Sequence, residues 1–172
     1  VQSIARGYVH WMVAREYCEH PAFAWFLRRC GAIPVRRAGV DTAATKAAIR
    51  FAEQGELVGM FPEGRINRTD QLMLPVRPGA VLVALKARVP IIPCYIGGSP
   101  YGESVASPLL MTAGVRVRFG TPIDLSEHYG HEHENERIGA ILLHAVREIA
   151  CLAGQEQFEP QLAGRKWLPE SS

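Results

Sequence analysis

The chain lacks several things, and each absence removes a class of protein. It has only four cysteines, Cys18, Cys30, Cys94 and Cys151. They form no CxxC pair and no regular framework, so neither a disulfide-stapled fold nor a zinc ribbon is expected, and free thiols are the simplest reading. No charged-then-apolar leader opens the sequence, so no signal peptide is expected. The most apolar stretch, 79–98, is cut by Lys86 and Arg88 and broken by Pro90 and Pro93. A spanning helix needs about 20 mainly apolar residues, so any membrane association of this piece is expected to be peripheral or to come from elsewhere. There is no excess of either charge: the net charge is +2, too little to argue for nucleic acid, which is not expected as a partner. A P-loop and a GxGxxG are missing, so nucleotide binding has no motif behind it. Gly97-Gly98-Ser99-Pro100-Tyr101 fails the GxSxG elbow, because Tyr101 stands where glycine is required.

What remains is ordinary globular material. Of 172 residues, 48% are hydrophobic and 21% charged, enough for one self-supporting domain without metal or disulfide. No internal repeat is visible. Tyr8–Ala14 and Ala32–Val35 read as strands, and so do Leu57–Phe61, Ile91–Ile96 and the alternating Gly114–Phe119. Pro21–Arg29 reads as a short helix. Asp41 caps a helix over Thr42–Gln54 that stops at Gly55. Gly79–Ala87 is an apolar helix, and Glu132–Ala153 is the longest one, with a stripe of Ile138, Ile141, Leu142, Ala145, Ile149 and Leu152 ending at Gly154. Residues 1–154 form the expected domain. The tail 155–172 carries little pattern and is expected to be loose.

The alternation of strand and helix predicts an α/β fold with a mostly parallel or mixed sheet flanked by helices. Right-handed crossovers place the carboxyl ends of parallel strands on one edge, where ligands bind. Arg36–Arg37, Phe61–Arg68 and Cys94–Ser99 are therefore expected to meet there. Phe61-Pro62-Glu63-Gly64-Arg65-Ile66-Asn67-Arg68 carries the most chemistry. A strand ends at a rigid proline, a carboxylate comes next, then a glycine that permits a tight turn, then two arginines. Guanidinium forks bind phosphate, and a carboxylate can orient them or accept from a hydroxyl. An ordinary turn with a solvated salt bridge fits the same residues equally well.

Phe61-Pro62-Glu63-Gly64 resembles the third motif of the glycerolipid acyltransferases, the 1-acylglycerol-3-phosphate acyltransferases and their relatives. Gly31-Ala32-Ile33-Pro34-Val35-Arg36-Arg37 is similar to the second motif, with Arg37 on its arginine, and Val89-Pro90-Ile91-Ile92-Pro93 to the fourth. The resemblance covers roughly 9–124. It implies the glycerol-3-phosphate acyltransferase-like fold and transfer of a fatty acyl group from acyl-CoA or acyl carrier protein to a lysophospholipid such as lysophosphatidic acid. No cofactor or metal is implied, and the location implied is the cytoplasmic face of a membrane surface. It assigns Arg37 and Arg65 to the acceptor phosphate, and Glu63 to the acceptor and its arginines as the catalytic carboxylate present. Phe61, Pro62 and Gly64 belong to the same binding turn, and Pro90 to the pocket wall.

Two features depart from the family pattern. After the glycine the chain runs Arg65-Ile66-Asn67 rather than threonine-arginine-serine, closer to the acyltransferase half of the bifunctional acyl-carrier-protein synthetase/lysophosphatidylethanolamine acyltransferases. The family's first motif, histidine, four residues, aspartate, is absent: His10 is followed at that spacing by Arg15, His20 by Trp25, His128 by His133 and His131 by Glu136. The motif's general base is expected just upstream of Val1, and the fragment alone is expected to be inactive. A domain that has lost its base and only binds lipid or phosphate is the rival reading.

The other polar clusters have plainer readings. His128, His131 and His133 with Glu127, Glu132, Glu134 and Glu136 fit a solvated loop and helix start better than a metal site. His10 reads as a packed histidine within a strand, and His144 as a residue of the long helix. Trp11, Trp25 and Trp167 read as core or boundary residues. Trp25 with Phe26, Arg28 and Arg29 has a second reading, a face toward lipid head groups.

Overall fold

The computed structural model describes residues 8–36, 41–98 and 114–164. The elements are β1 (Val9–Ala14), α1 (Arg15–Glu19), α2 (Pro21–Arg29), β2 (Ile33–Val35), α3 (Thr42–Glu53) and β3 (Leu57–Gly59). They continue with α4 (Gly79–Ala87), β4 (Cys94–Gly97), β5 (Arg116–Phe119) and α5 (Asn135–Ala153). The α/β class expected from the sequence is the one observed. The strands β2, β1 and β3 pair in that order, all parallel, with Met12 opposite Ile33 and Trp11 opposite Gly59. The chain leaves β1 toward one side for β2, then crosses to the other side for β3. That reversal makes β1 the switch point of the sheet, and the crevice beyond its carboxyl end is where open α/β sheets bind ligands.

One expectation about the sheet fails. The strand at Ile91–Ile96 does not join the parallel sheet; β4 pairs antiparallel with β5, Cys94 opposite Phe119. Proline explains the shortening: Pro93 has no N–H to give a ladder, so Ile91 makes only an isolated bridge to Ile123. Cys94–Gly98 therefore does not share the carboxyl edge of β1, and Ser99 lies outside the described residues.

Helix boundaries reflect local chemistry. The Asp41 carboxylate accepts from the Ala44 N–H at 3.0 Å, the predicted cap. The start of α5 moves from Glu132 to Asn135, because His131 and Glu134 are used in turns, with Glu134 N–H bonded to His131 O at 3.1 Å. Gly31 and Gly55 close α2 and α3 alike. Each has positive φ, +66° and +78°, and the residue after each donates back to the carbonyl five before it, Ala32 to Leu27 and Glu56 to Phe51.

Packing forms layers. α4 is apolar all round, which suits a helix buried on both sides. Val83 packs with Ile33, Ala44 and Ala48 against the sheet, while Val81, Ala84 and Leu85 face Leu142 and Val146 of α5. The tail is not loose through residue 164. Val76 donates to Gln161 O at 2.8 Å and accepts from Ala163 N–H at 2.9 Å, and Phe158 packs on the core.

His10 is the packed histidine expected. It is buried, stacks on Phe51 with ring centroids 3.8 Å apart, and bonds through Nδ1 to Gly31 O at 2.8 Å. A carbonyl only accepts, so Nδ1 carries the proton in that bond. Nε2 meets Glu56 Oε2. The ring thus ties together the two helix-to-strand junctions that precede β2 and β3, at the amino edge of the sheet.

Candidate functional site

The carboxyl edge of the sheet is built in steps. β3 ends at Gly59, opposite Trp11, while β1 runs three residues further to Ala14, opposite Val35. A side chain at Gly59 would collide with the Trp11 ring. Phe61, the next residue on that face, stacks on Trp11 at 5.2 Å between centroids. Pro62 then turns the chain. Gly64 N–H donates to Phe61 O at 3.1 Å, and Gly64 adopts φ +66°, the left-handed region that glycine enters without strain.

Residues 74–77 brace this turn from the other side of the loop. Arg77 N–H donates to Pro62 O at 2.9 Å, and Leu74 N–H donates to Glu63 Oε2 at 2.8 Å. Glu63 is half-buried. Burial pushes its carboxyl above the usual carboxylate range, while the Leu74 N–H and the Arg65 charge pull the other way. Arg77 runs back alongside Gly64: a Cβ on Gly64 would lie 3.7 Å from Arg77 Cδ. Burial, then the neighbouring Arg65 charge, lowers Arg77's hold on its proton. Arg65 and Arg77 thus sit within each other's field beside one carboxylate. Two guanidinium groups in each other's field beside a carboxylate are groups of the kind that bind phosphate.

A second basic point lies at the ends of β1 and β2. Arg36 N–H donates to Asp41 Oδ2 at 2.9 Å. The Ala44 and Arg36 N–H groups, then the charges of Arg36 and Arg15, hold Asp41 below the usual carboxylate range. Arg37 itself lies outside the described residues.

The predicted site residues separate into three groups. Phe61, Pro62, Glu63, Gly64 and Arg65 form the turn just described. Pro90 stands apart from it. Met60 touches the start of α4, its Cε 3.5 Å from where a Cβ on Gly79 would be. A nine-residue helix rises about 13 Å, and Pro90 lies beyond its far end. Arg37 is not described. Arg77 is not among the residues that the sequence motifs single out. Its signal was an arginine directly before Pro78-Gly79, the helix start that brings it back to the turn.

The other clusters stay modest. His131 and Arg137 share Glu134, at 2.5 and 2.9 Å. Among the described residues no three His, Cys, Asp or Glu side chains are gathered as a metal site would require. Cys18 is buried, and burial pushes its thiol up, away from the reactive thiolate. Cys30 and Cys94 are half-buried and Cys151 is exposed, all free. Among the described residues no helix is long and apolar enough to cross a membrane.

Comparison with known proteins bears on the family and the fold. A family model described as Acyltransferase matches residues 2–97. The 1-acyl-sn-glycerol-3-phosphate acyltransferase of Bacillus subtilis is 26% identical over 133 residues, covering 77% of this chain and 63% of that protein. The protein of the same name from Streptococcus pneumoniae is 31% identical over 117 residues, covering 67% of this chain and 41% of that one. The chain thus spans less than two thirds of the length of these relatives. Among solved structures, the 1-acyl-sn-glycerophosphate (LPA) acyltransferase PlsC from Thermotoga maritima superposes with a TM-score of 0.57 at 19% identity, over 84% of this chain and 57% of that one. At that identity the likeness speaks for the fold.

Proposed function

The chain belongs to the acyltransferase family, and on that premise we propose that it carries the acceptor-phosphate half of a lysophospholipid O-acyltransferase site, with lysophosphatidic acid as acceptor. The observation that carries this reading is the paired Arg65 and Arg77 beside Glu63, on a turn braced through Leu74 N–H and Pro62 O. The two relatives named for 1-acyl-sn-glycerol-3-phosphate support the choice of acceptor.

In this reading the two guanidinium groups hold the acceptor's phosphate, with Arg37 contributing from the end of β2. Glu63 is a positioning residue: its carboxylate fixes the 64–74 loop and so the direction of Arg65. Gly64 lets the backbone come close to the ligand. The acceptor hydroxyl gives its proton to a histidine that we place upstream of Val1. Its oxygen attacks the thioester carbonyl of acyl-CoA or acyl carrier protein, the C–S bond breaks, and the proton passes to the leaving thiolate. Donors for the oxyanion and the substrate pocket, to whose wall the resemblance assigns Pro90, complete the site. Acceptor and product are both amphiphiles, so the site works at the cytoplasmic membrane surface.

The test is transfer of labelled acyl groups by the product of the whole reading frame. Transfer to lysophosphatidic acid that falls at least a hundredfold in Arg77→Ala, with folding intact, is expected. No transfer to any lysophospholipid would sink the proposal, and acceptor binding without turnover would favour the base-less binding domain instead.

A further inference from the structure

We infer that α2 is the element by which this chain rests on an anionic phospholipid surface. The inference extends the lysophospholipid reading above, since that acceptor resides in a bilayer. Trp25 and Phe26 are 75% and 56% exposed, an uncommon position for two neighbouring large aromatics on a nine-residue helix. Pro21, Ala24, Trp25, Arg28 and Arg29 line one open groove. Their spacing, i, i+3, i+4, i+7 and i+8, is one stripe of a helix. The stripe is apolar in its first half and cationic in its last turn, where both arginines lie. Neither guanidinium has an ion-pair or hydrogen-bond partner among the described residues.

This combination selects its partner. A tryptophan beside arginines whose apolar stems lie along the same surface suits the boundary between acyl chains and head groups, where rings enter and guanidinium groups meet phosphate. A second copy fits poorly: a two-fold contact through this face would set Arg28 and Arg29 against themselves. The acids of the preceding helix, Glu16 and Glu19, do not line the groove; Glu19 lies instead on a second pocket that Arg28 also borders.

Flotation with lipid vesicles tests this. The chain is expected to float with vesicles of phosphatidylcholine and phosphatidylglycerol, and far less with phosphatidylcholine alone. Trp25→Ser with Phe26→Ser is expected to lower partitioning at least tenfold. Arg28→Gln with Arg29→Gln should lower it about twenty-five-fold on the anionic vesicles, at roughly fivefold per charge. Because these side chains are exposed, the urea midpoint of each variant should match the parent. A parent that does not float, or variants that float as it does, overturn the inference. A dimer dissolved by Trp25→Ser with Phe26→Ser, in a chain that ignores vesicles, gives the face to a second copy. Binding of a water-soluble, short-chain lysophosphatidic acid keeps the two readings apart. Binding without flotation sinks this inference alone, and flotation without such binding sinks the site reading alone.

Discussion

Replacing Gly31 by alanine should damage this protein far more than the same change at Gly55, although both glycines end a helix with the same hydrogen-bond pattern. Each sits at positive φ, so each alanine meets the left-handed backbone cost of about 1–2 kcal/mol. At Gly55 nothing lies within 4 Å of the new Cβ, and the cost stops there. At Gly31 the Cβ would lie 2.6 Å from His10 Nδ1 and 2.7 Å from Cε1. The ring has nowhere to go: Phe51 is stacked on it and Glu56 holds Nε2. If the ring leaves, its bond to Gly31 O is lost, about 1 kcal/mol. The half-exposed Glu56 contact adds about 0.5–1 kcal/mol, and the stack about 0.5–1 kcal/mol. The excess of Gly31→Ala over Gly55→Ala is then about 2–3 kcal/mol, measured as the difference in urea unfolding followed by circular dichroism, with unchanged slope. In a His10→Ala background the clash is gone, so Gly31→Ala should cost no more than Gly55→Ala does. Equal losses at the two glycines, or no coupling between His10 and Gly31 in the double-mutant cycle, would refute the reasoning.

Glu63 titrates with a raised pKa, so the folded state keeps its proton where the unfolded state has lost it. Stability should decline as pH rises from about the unfolded value near 4.5 through the folded pKa, and Glu63→Gln should lack that decline in urea midpoints measured across pH 4 to 7. Asp41 has the opposite sign. Its pKa is depressed, so its contribution is present above the unfolded value near 3.8 and is lost on acidification below it; Asp41→Asn should flatten the acid limb of the same curve. Gly64→Ala should fold, since its Cβ makes only ordinary contact with Arg77, at about 1–2 kcal/mol of backbone strain. It should also weaken binding of soluble lysophosphatidic acid by moving the arginines, which calorimetric titration would read; unchanged affinity would show that the turn does not position them. Arg65→Ala and Arg77→Ala should each make that binding less sensitive to salt, because each removes a charge facing the phosphate.

Local signals reached far into this chain. The apolar periodicity of α5, the cap at Asp41 and the glycine stops after α3 and α5 all lie within a few residues of what they determine. The turn Phe61–Arg65 was legible for the same reason: proline, glycine and charge act on their neighbours. Distance along the chain hid the rest. Nothing near Ile91 says that β4 will pair with β5 and leave the parallel sheet, because pairing depends on a partner more than twenty residues away. Arg77 looked like one more polar loop residue until Pro62 O took its N–H and drew it to Arg65. The bond that Glu63 accepts from Leu74, eleven residues on, was hidden in the same way. Trp25 reads first as a core or boundary residue, with a lipid-facing surface as the second reading, and only the tertiary structure shows Trp25 and Phe26 exposed. The sequence alone determined the class of fold and the turn with its carboxylate and arginine, since propensity and turn chemistry are local. The tertiary structure decided which second arginine joins that turn, what holds it and which aromatics meet the solvent, since contacts between distant residues set burial and charge.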